Sequence, residues 1–289
     1  MSDTRLDIID CHLHLFNLAQ GQYAWLQPQN PPFWPDKERI HRTYTEQDLS
    51  LAHPLRLAGF VHIEAGFDNQ RPWRELTWLE QHCTLAFKSV ASLDLASPHC
   101  LEQLEKLLLR RSLVGIRHIL DDEAAAILSA PPVKANLRQL AAHKLLFDAQ
   151  LSLGDTNGVN ALLAILDSTP ELTVIINHAG WPPHIGQHTS WQNWCNNLAR
   201  LAQYPKVAIK LSGWEMSDRQ YTLDKVQAVL HQCIANFGAN RVMLGSNFPL
   251  CTWSRSYQQL WQLYANELEL EPHLRQRLVC QNAAQWYGF

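Results

Sequence analysis

Short, β-rich apolar runs alternate along the chain with longer stretches whose apolar residues recur at helical spacing. The runs at 7–15 (DIIDCHLHL), 58–65 (AGFVHIEA), 86–93 (AFKSVASL) and 114–120 (VGIRHIL) predict strands, as do 145–152 (LLFDAQLS), 173–180 (TVIINHAG), 206–213 (KVAIKLSG) and 241–248 (RVMLGSNF). Several are nearly continuous in Val, Ile and Leu, the pattern of parallel strands covered on both faces. Between them, 99–111, 158–170 and 222–238 read as helices. Eight strand-plus-helix units predict an α/β fold, a distorted (β/α)8 TIM barrel. A doubly wound open sheet is the alternative. The segment from Asn17 to His53 breaks the rhythm with Pro and aromatic residues, and reads as a lid or binding loop after the first strand. No linker, repeat or low-complexity tract divides the chain, so one domain over 1–289 is expected. Its length suits a single barrel of ~250 residues.

In such barrels the active site lies at the C-terminal ends of the strands, which directs attention to polar residues there. In DCHLHL, strict alternation would put Asp10, His12 and His14 on one face, and two imidazoles ~6.6–6.8 Å apart in Cα converge on one metal ion or one carbonyl oxygen. His178 ends an apolar run just before a Gly and a Pro, as a third ligand, a general base or an electrophile. Arg117 and His118 are adjacent, so only one of them enters a regular barrel. Arg117 would suit a carboxylate or a developing oxyanion, or else close an ion pair within the barrel. His62 and Glu64 would share a face, with Glu64 as a candidate base. Asp148 and Lys210, charged groups in apolar strands, are either site residues or each other's partner. Asn247 ends the last strand and shares parity with Met243 and Gly245. It can hydrogen-bond to substrate or water but cannot take a proton as a carboxylate does.

Composition narrows the function classes. A formal charge of −3, with 24 Lys and Arg scattered along the chain, gives no nucleic-acid footprint. No apolar run reaches the length of a membrane span. The opening MSDTRLDIID has no secretory pattern, and seven Cys without a C-x-x-C pair fit reduced thiols, so a cytoplasmic protein acting on a small molecule is expected. The oligomeric state is open. Eleven Trp are many for this length. Trp25 and Trp34 in the long loop and Trp181 beside His178 are candidates to cover or contact a substrate.

Taken together, DCHLHL, YAWL, VHIEA, VGIRHI, FDAQLS, IINHAGWP, VAIKLSG, RVMLGSNFP and NAAQWYGF resemble, in order and spacing, the amidohydrolase-related family of the amidohydrolase superfamily. The resemblance runs almost end to end and is closest to its lactonase-like branch, with fuconolactonase-like and 2-pyrone-4,6-dicarboxylate lactonase-like enzymes. It implies a hydrolase in which His12 and His14 lie at the active site, His178 joins them and Arg117 binds substrate. It implies either no cofactor or one divalent metal, zinc by preference, on His12, His14 and His178. The family's last strand usually ends GSDWP, whose Asp activates water; this chain resembles a sub-branch with GSNFP in its place, which supplies Asn247, so either Glu64, Asp148 or His178 serves as base or the chemistry is not standard water attack. Two other functions suit the same scaffold: a decarboxylase or hydratase of small acids, and a ligand-binding barrel without catalysis.

Overall fold

The computed structural model describes residues 5–289. Eight parallel strands follow one another around a single sheet in chain order. They are β1 (Leu6–Leu13), β2 (Leu55–Ile63), β3 (Phe87–Ser92), β4 (Leu113–Ile119), β5 (Leu146–Gln150), β6 (Val174–Ile176), β7 (Val207–Leu211) and β8 (Val242–Leu244). The predicted strands are all present, in a barrel. Helices cover the outside; the three predicted ones span Cys100–Leu108, Thr156–Ser168 and Leu223–Phe237. Local chemistry sets their ends: Asp155 caps the second by accepting from Asn157 N, and Thr222 caps the third, which stops at Gly238 with φ +72°. Among the described residues no helix is long and apolar enough to cross a membrane, and no cysteine is in a disulfide.

Alternation along the strands builds two cores. Phe60, Ala91, Ile116, Phe147, Ile176, Ile209 and Leu244 face the helices. Ile9, Cys11, Val61, Ile63, Val90, Leu146, Ile175, Ala208 and Met243 pack together across the barrel interior. The C-terminal helix Asn282–Tyr287 closes the N-terminal end of the barrel: Ala283 and Tyr287 join the interior cluster, and Asn282 Nδ2 donates to Ala239 O and Val242 O at the start of β8. The same alternation turns Asp148 and Lys210 inward. Lys210 Nζ donates to Asp148 Oδ2 at 2.6 Å, and Tyr287 Oη lies 3.3 Å from Asp148 Oδ1. Both charges are fully buried. Asp148, a candidate for substrate binding or for the base, is therefore committed to a charge pair inside the barrel.

Between β8 and β1 the barrel closes by a different device. The backbone supplies Asn247 N to His12 O at 2.8 Å and His14 N to Phe248 O at 2.7 Å. Below these, Asp10 Oδ1 accepts from both His12 N (3.1 Å) and Ser246 N (3.0 Å), joining the two strands through a side chain. Gly245 permits the approach, since a Cβ there would lie 3.0 Å from Cys11 Sγ and 3.1 Å from His12 Cβ. The pairing of β1 with β2 also slips: Asp10 faces Phe60, but Leu13 faces His62, three residues on one strand against two on the other. This slip overturns the expected common face of Asp10, His12 and His14. Asp10 lies in the seam, and the two histidines lie at the barrel mouth.

Asp10→Ala would orphan two buried N–H donors and should lower stability by about 2–4 kcal/mol in urea unfolding. Asp10→Asn keeps the acceptor and should lose far less; equal losses would show that the seam does not depend on that oxygen. Burial pushes the Asp10 carboxyl up to about 6, so its ionisation opposes folding. Its contribution is complete below the unfolded value of 3.8 and is lost as pH rises through about 6. The Asp10→Asn variant should therefore gain on the wild type above that pH.

Candidate active site

Three imidazoles meet at the mouth. The His12 ring centroid lies 5.1 Å from that of His14 and 4.5 Å from that of His178. His12 is fully buried and neither of its ring nitrogens has a partner among the described residues. His14 Nδ1 is 2.8 Å from Ile63 O; a carbonyl only accepts, so this nitrogen carries hydrogen. His178 Nδ1 lies 3.0 Å from Ser212 Oγ, which leaves Nε2 as its uncommitted nitrogen. Burial is the first cause that holds all three rings neutral. It pushes His12 and His178 well below the usual histidine range, helped by the Lys210 and Arg117 cations, and His14 down to about 3, helped by Arg117.

His178 is held by unusual backbone. His178, Ala179, Gly180 and Trp181 all have positive φ, at 51°, 52°, 65° and 56°. Trp194 Nε1 donates to Ala179 O at 2.9 Å, and Leu153 N donates to Gly180 O at 2.9 Å. A Cβ at Gly180 would fall 2.1 Å from Leu153 Cγ, so HAGW needs glycine at its third position both for φ and for space. Such left-handed residues are unfavourable singly and persist only where packing determines them. The Trp181 ring sits 4.7 Å from the His178 ring, the contact expected of a residue lining the site.

Arg117 is the member of its pair that enters the barrel, but most of its donors are engaged. Nε donates to Glu64 Oε1 at 2.8 Å, Nη2 to Glu64 O at 2.9 Å, and Nη1 to Gln150 Oε1 at 3.0 Å. Both charges are buried. The expectation that Arg117 reads substrate and Glu64 acts as base meets an ion pair that joins them; Arg117 acts here as a local positive field. His118 faces away and accepts from Leu95 N at 3.2 Å. His62 and Glu64 do not share a face, because β2 ends at Ile63. His62 lies against the helix Trp73–His82, with Nε2 3.0 Å from Glu75 Oε1.

Asn247 adopts a left-handed conformation (φ 58°), with Oδ1 3.3 Å from His14 Nε2 and Nδ2 2.6 Å from Glu215 Oε1. Glu215 is fully buried, its Oε2 has no partner among the described residues, and desolvation pushes it up to about 7. Sequence reading missed it, because it sits in the four-residue helix Trp214–Ser217 with no periodicity to place its side chain. Its only signal was a carboxylate two residues past the KLSG strand end.

No group of three or more His, Cys, Asp or Glu among the described residues is disposed to hold a metal ion. The rings of His12, His14 and His178, the expected zinc set, come together at the mouth but do not form such a group. His14 Nε2 faces the side-chain amide of Asn247.

The long loop packs on the segments that follow β1, β2 and β8. Trp25 Nε1 donates to Ala65 O at 2.7 Å, its ring packs on Phe16 and Trp34, and Trp34 packs on Trp253. Lys37 is buried beneath, with Nζ donating to Trp25 O, Gln27 O and Asn30 O at 2.7–3.0 Å.

Gly213 (φ +69°) gives the sharpest test of this geometry. A Cβ there would lie 2.4 Å from His178 Nδ1. Gly213→Ala should displace the His178 ring and destabilise the fold by about 1–3 kcal/mol. A crystal structure of the variant with His178 still on Ser212 would refute the close packing described.

Comparisons place this architecture. The chain is 29% identical to an uncharacterized protein, y4mH, of Sinorhizobium fredii, over 99% of each chain. It is 25% identical to an L-fucono-1,5-lactonase of Burkholderia ambifaria, over 94% of this chain and 95% of the relative. Among solved structures it resembles an amidohydrolase from Burkholderia multivorans with bound zinc, at a TM-score of 0.79 and 24% identity, covering 98% of this chain and 99% of the other. The amidohydrolase family model matches residues 9–289, from the strand that carries His12 and His14 to the last residue, and the chain belongs to that family.

Proposed function

We propose that the protein hydrolyses a small lactone or related carboxylic ester by adding water to a polarised carbonyl. The observation that carries this reading is the set of three neutral, buried imidazoles at the barrel mouth, two of them with uncommitted nitrogens. The lactonases among its relatives point to the same substrate class.

A neutral imidazole donates N–H without carrying charge into the pocket, so His12 is assigned to the carbonyl oxygen. As water adds, that oxygen becomes anionic beside the buried Arg117 and Lys210 cations, whose field favours the negative charge. His178, with Nδ1–H on Ser212 Oγ, takes the water proton at Nε2. The imidazolium so formed is opposite in sign to the oxyanion next to it. Collapse breaks the ring C–O bond, and the proton passes from His178 to the leaving alkoxide, giving a hydroxy acid. Trp181 supplies an apolar wall beside His178, and the loop with Trp25 and Trp34 excludes bulk water.

Proton release on addition of sugar lactones and dicarboxylate lactones tests the reading. Turnover should survive a chelator, and His12→Ala should reduce it by about 10²–10³-fold, the usual loss for one oxyanion donor, in a protein that still melts cooperatively. Release of carbon dioxide in place of acid would move the assignment to a decarboxylase. Ligand-induced thermal stabilisation without any turnover would make the protein a binder.

A further inference from the structure

Asn177 is buried in a way that folding alone does not reward. It is fully buried, and neither Nδ2 nor Oδ1 has a partner among the described residues. Among those residues, His12 is the one other side chain with two buried polar atoms and a partner for neither. An Asn ahead of a helical turn ordinarily accepts from the backbone of that turn. Asn177 stands just before the turn His178–Gly180 and makes no such bond. The strand decides where it points instead. Ile175 packs in the barrel interior and Ile176 toward the helices. Asn177 N still donates to Ala149 O at 3.0 Å, and φ −81° with ψ 149° keeps the backbone extended. Alternation therefore carries its side chain inward, one level above Ile175 at the mouth end of the interior. The next residue, His178, has its ring 4.5 Å from that of His12. A buried amide with nothing to bond opposes folding, so its complement is a group that arrives from outside the chain.

The amide itself says which group. Nδ2 donates and Oδ1 accepts, and both are uncommitted. A carboxylate only accepts, so it would leave Oδ1 facing an anion. An unsubstituted ring would leave both atoms unpaired. Hydroxyl groups accept from Nδ2 and donate to Oδ1, and so satisfy both. We propose that Asn177 is a specificity-determining residue, whose amide pairs with hydroxyl groups of the substrate held beside His12. This assignment rests on the hydrolytic site proposed above and adds a requirement to it: the lactone that fits is hydroxylated and uncharged where it meets the end of β6. Discrimination of this kind is strong, because a ligand without the hydroxyl leaves buried polar atoms unpaired.

The test is Asn177→Leu, which keeps a branched side chain of similar size and removes both polar atoms. Two measurements are made on the full chain: a thermal melt without ligand, and kcat/KM for a hexono-1,5-lactone and for δ-valerolactone, the same ring without hydroxyls. A residue held for a ligand is a burden to the free protein, so the variant should melt about 2–4 °C above the wild type. Its preference for the hydroxylated lactone should shrink by about 10–10²-fold, the loss falling on that substrate far more than on δ-valerolactone. A lower Tm would make the amide part of the folded framework, and equal losses on the two lactones would make its effect structural; either result overturns the proposal. A wild type inert to both lactones would count against the hydrolase reading alone, and the melt would still decide the role of the amide.

Discussion

Closure of the barrel between its first and last strands is the constraint on which the site depends. The Asp10 carboxylate ties His12 N to Ser246 N where β8 runs out of ladder, and the backbone bonds of His12, His14, Asn247 and Phe248 follow directly above it. His12 and His14 on one side and Asn247 on the other are therefore fixed relative to each other by the joint that makes the sheet a barrel. A buried carboxylate is a demanding joint, because it must be kept short of water yet accept from two amides. Placing it beneath the imidazoles means that stability and site geometry are set by the same few atoms.

Much of the architecture was legible in the sequence for one physical reason. Strands covered on both faces must be apolar throughout, and eight such runs separated by helices admit few arrangements. The candidate site residues were legible as types: the rings of His12, His14 and His178 do come together. Their orientation was less so, because it rested on strict alternation. The slip between Asp10 and Leu13 and the end of β2 at Ile63 each reverse a face, and nothing in DCHLHL or HIEA announces a bulge or a strand end. The pairings of Asp148 with Lys210 and of Arg117 with Glu64 were among the alternatives, since buried charges need partners, but only the barrel decides between a partner and a substrate. Glu215 was invisible, because a short turn has no period from which a facing direction can be read.

The same buried charges shape the chemistry. Lys210 and Arg117 are neutralised by their own partners, yet both still depress the histidines, so the mouth remains a place where a proton is poorly held and negative charge is well received. That bias suits an addition in which anionic oxygen develops. Membership of the amidohydrolase family supplies the scaffold, and the amide at the end of β8 stands in it against a buried carboxyl.

The Lys37 clamp carries a consequence for local stability. Three carbonyls of the long loop converge on one buried ammonium, so the stretch from Trp25 to Lys37 is tied into a plate. Freeing any one of those carbonyls would leave a buried ammonium short of a partner. The stretch is therefore a single unit of local stability, opening as a whole rather than fraying residue by residue.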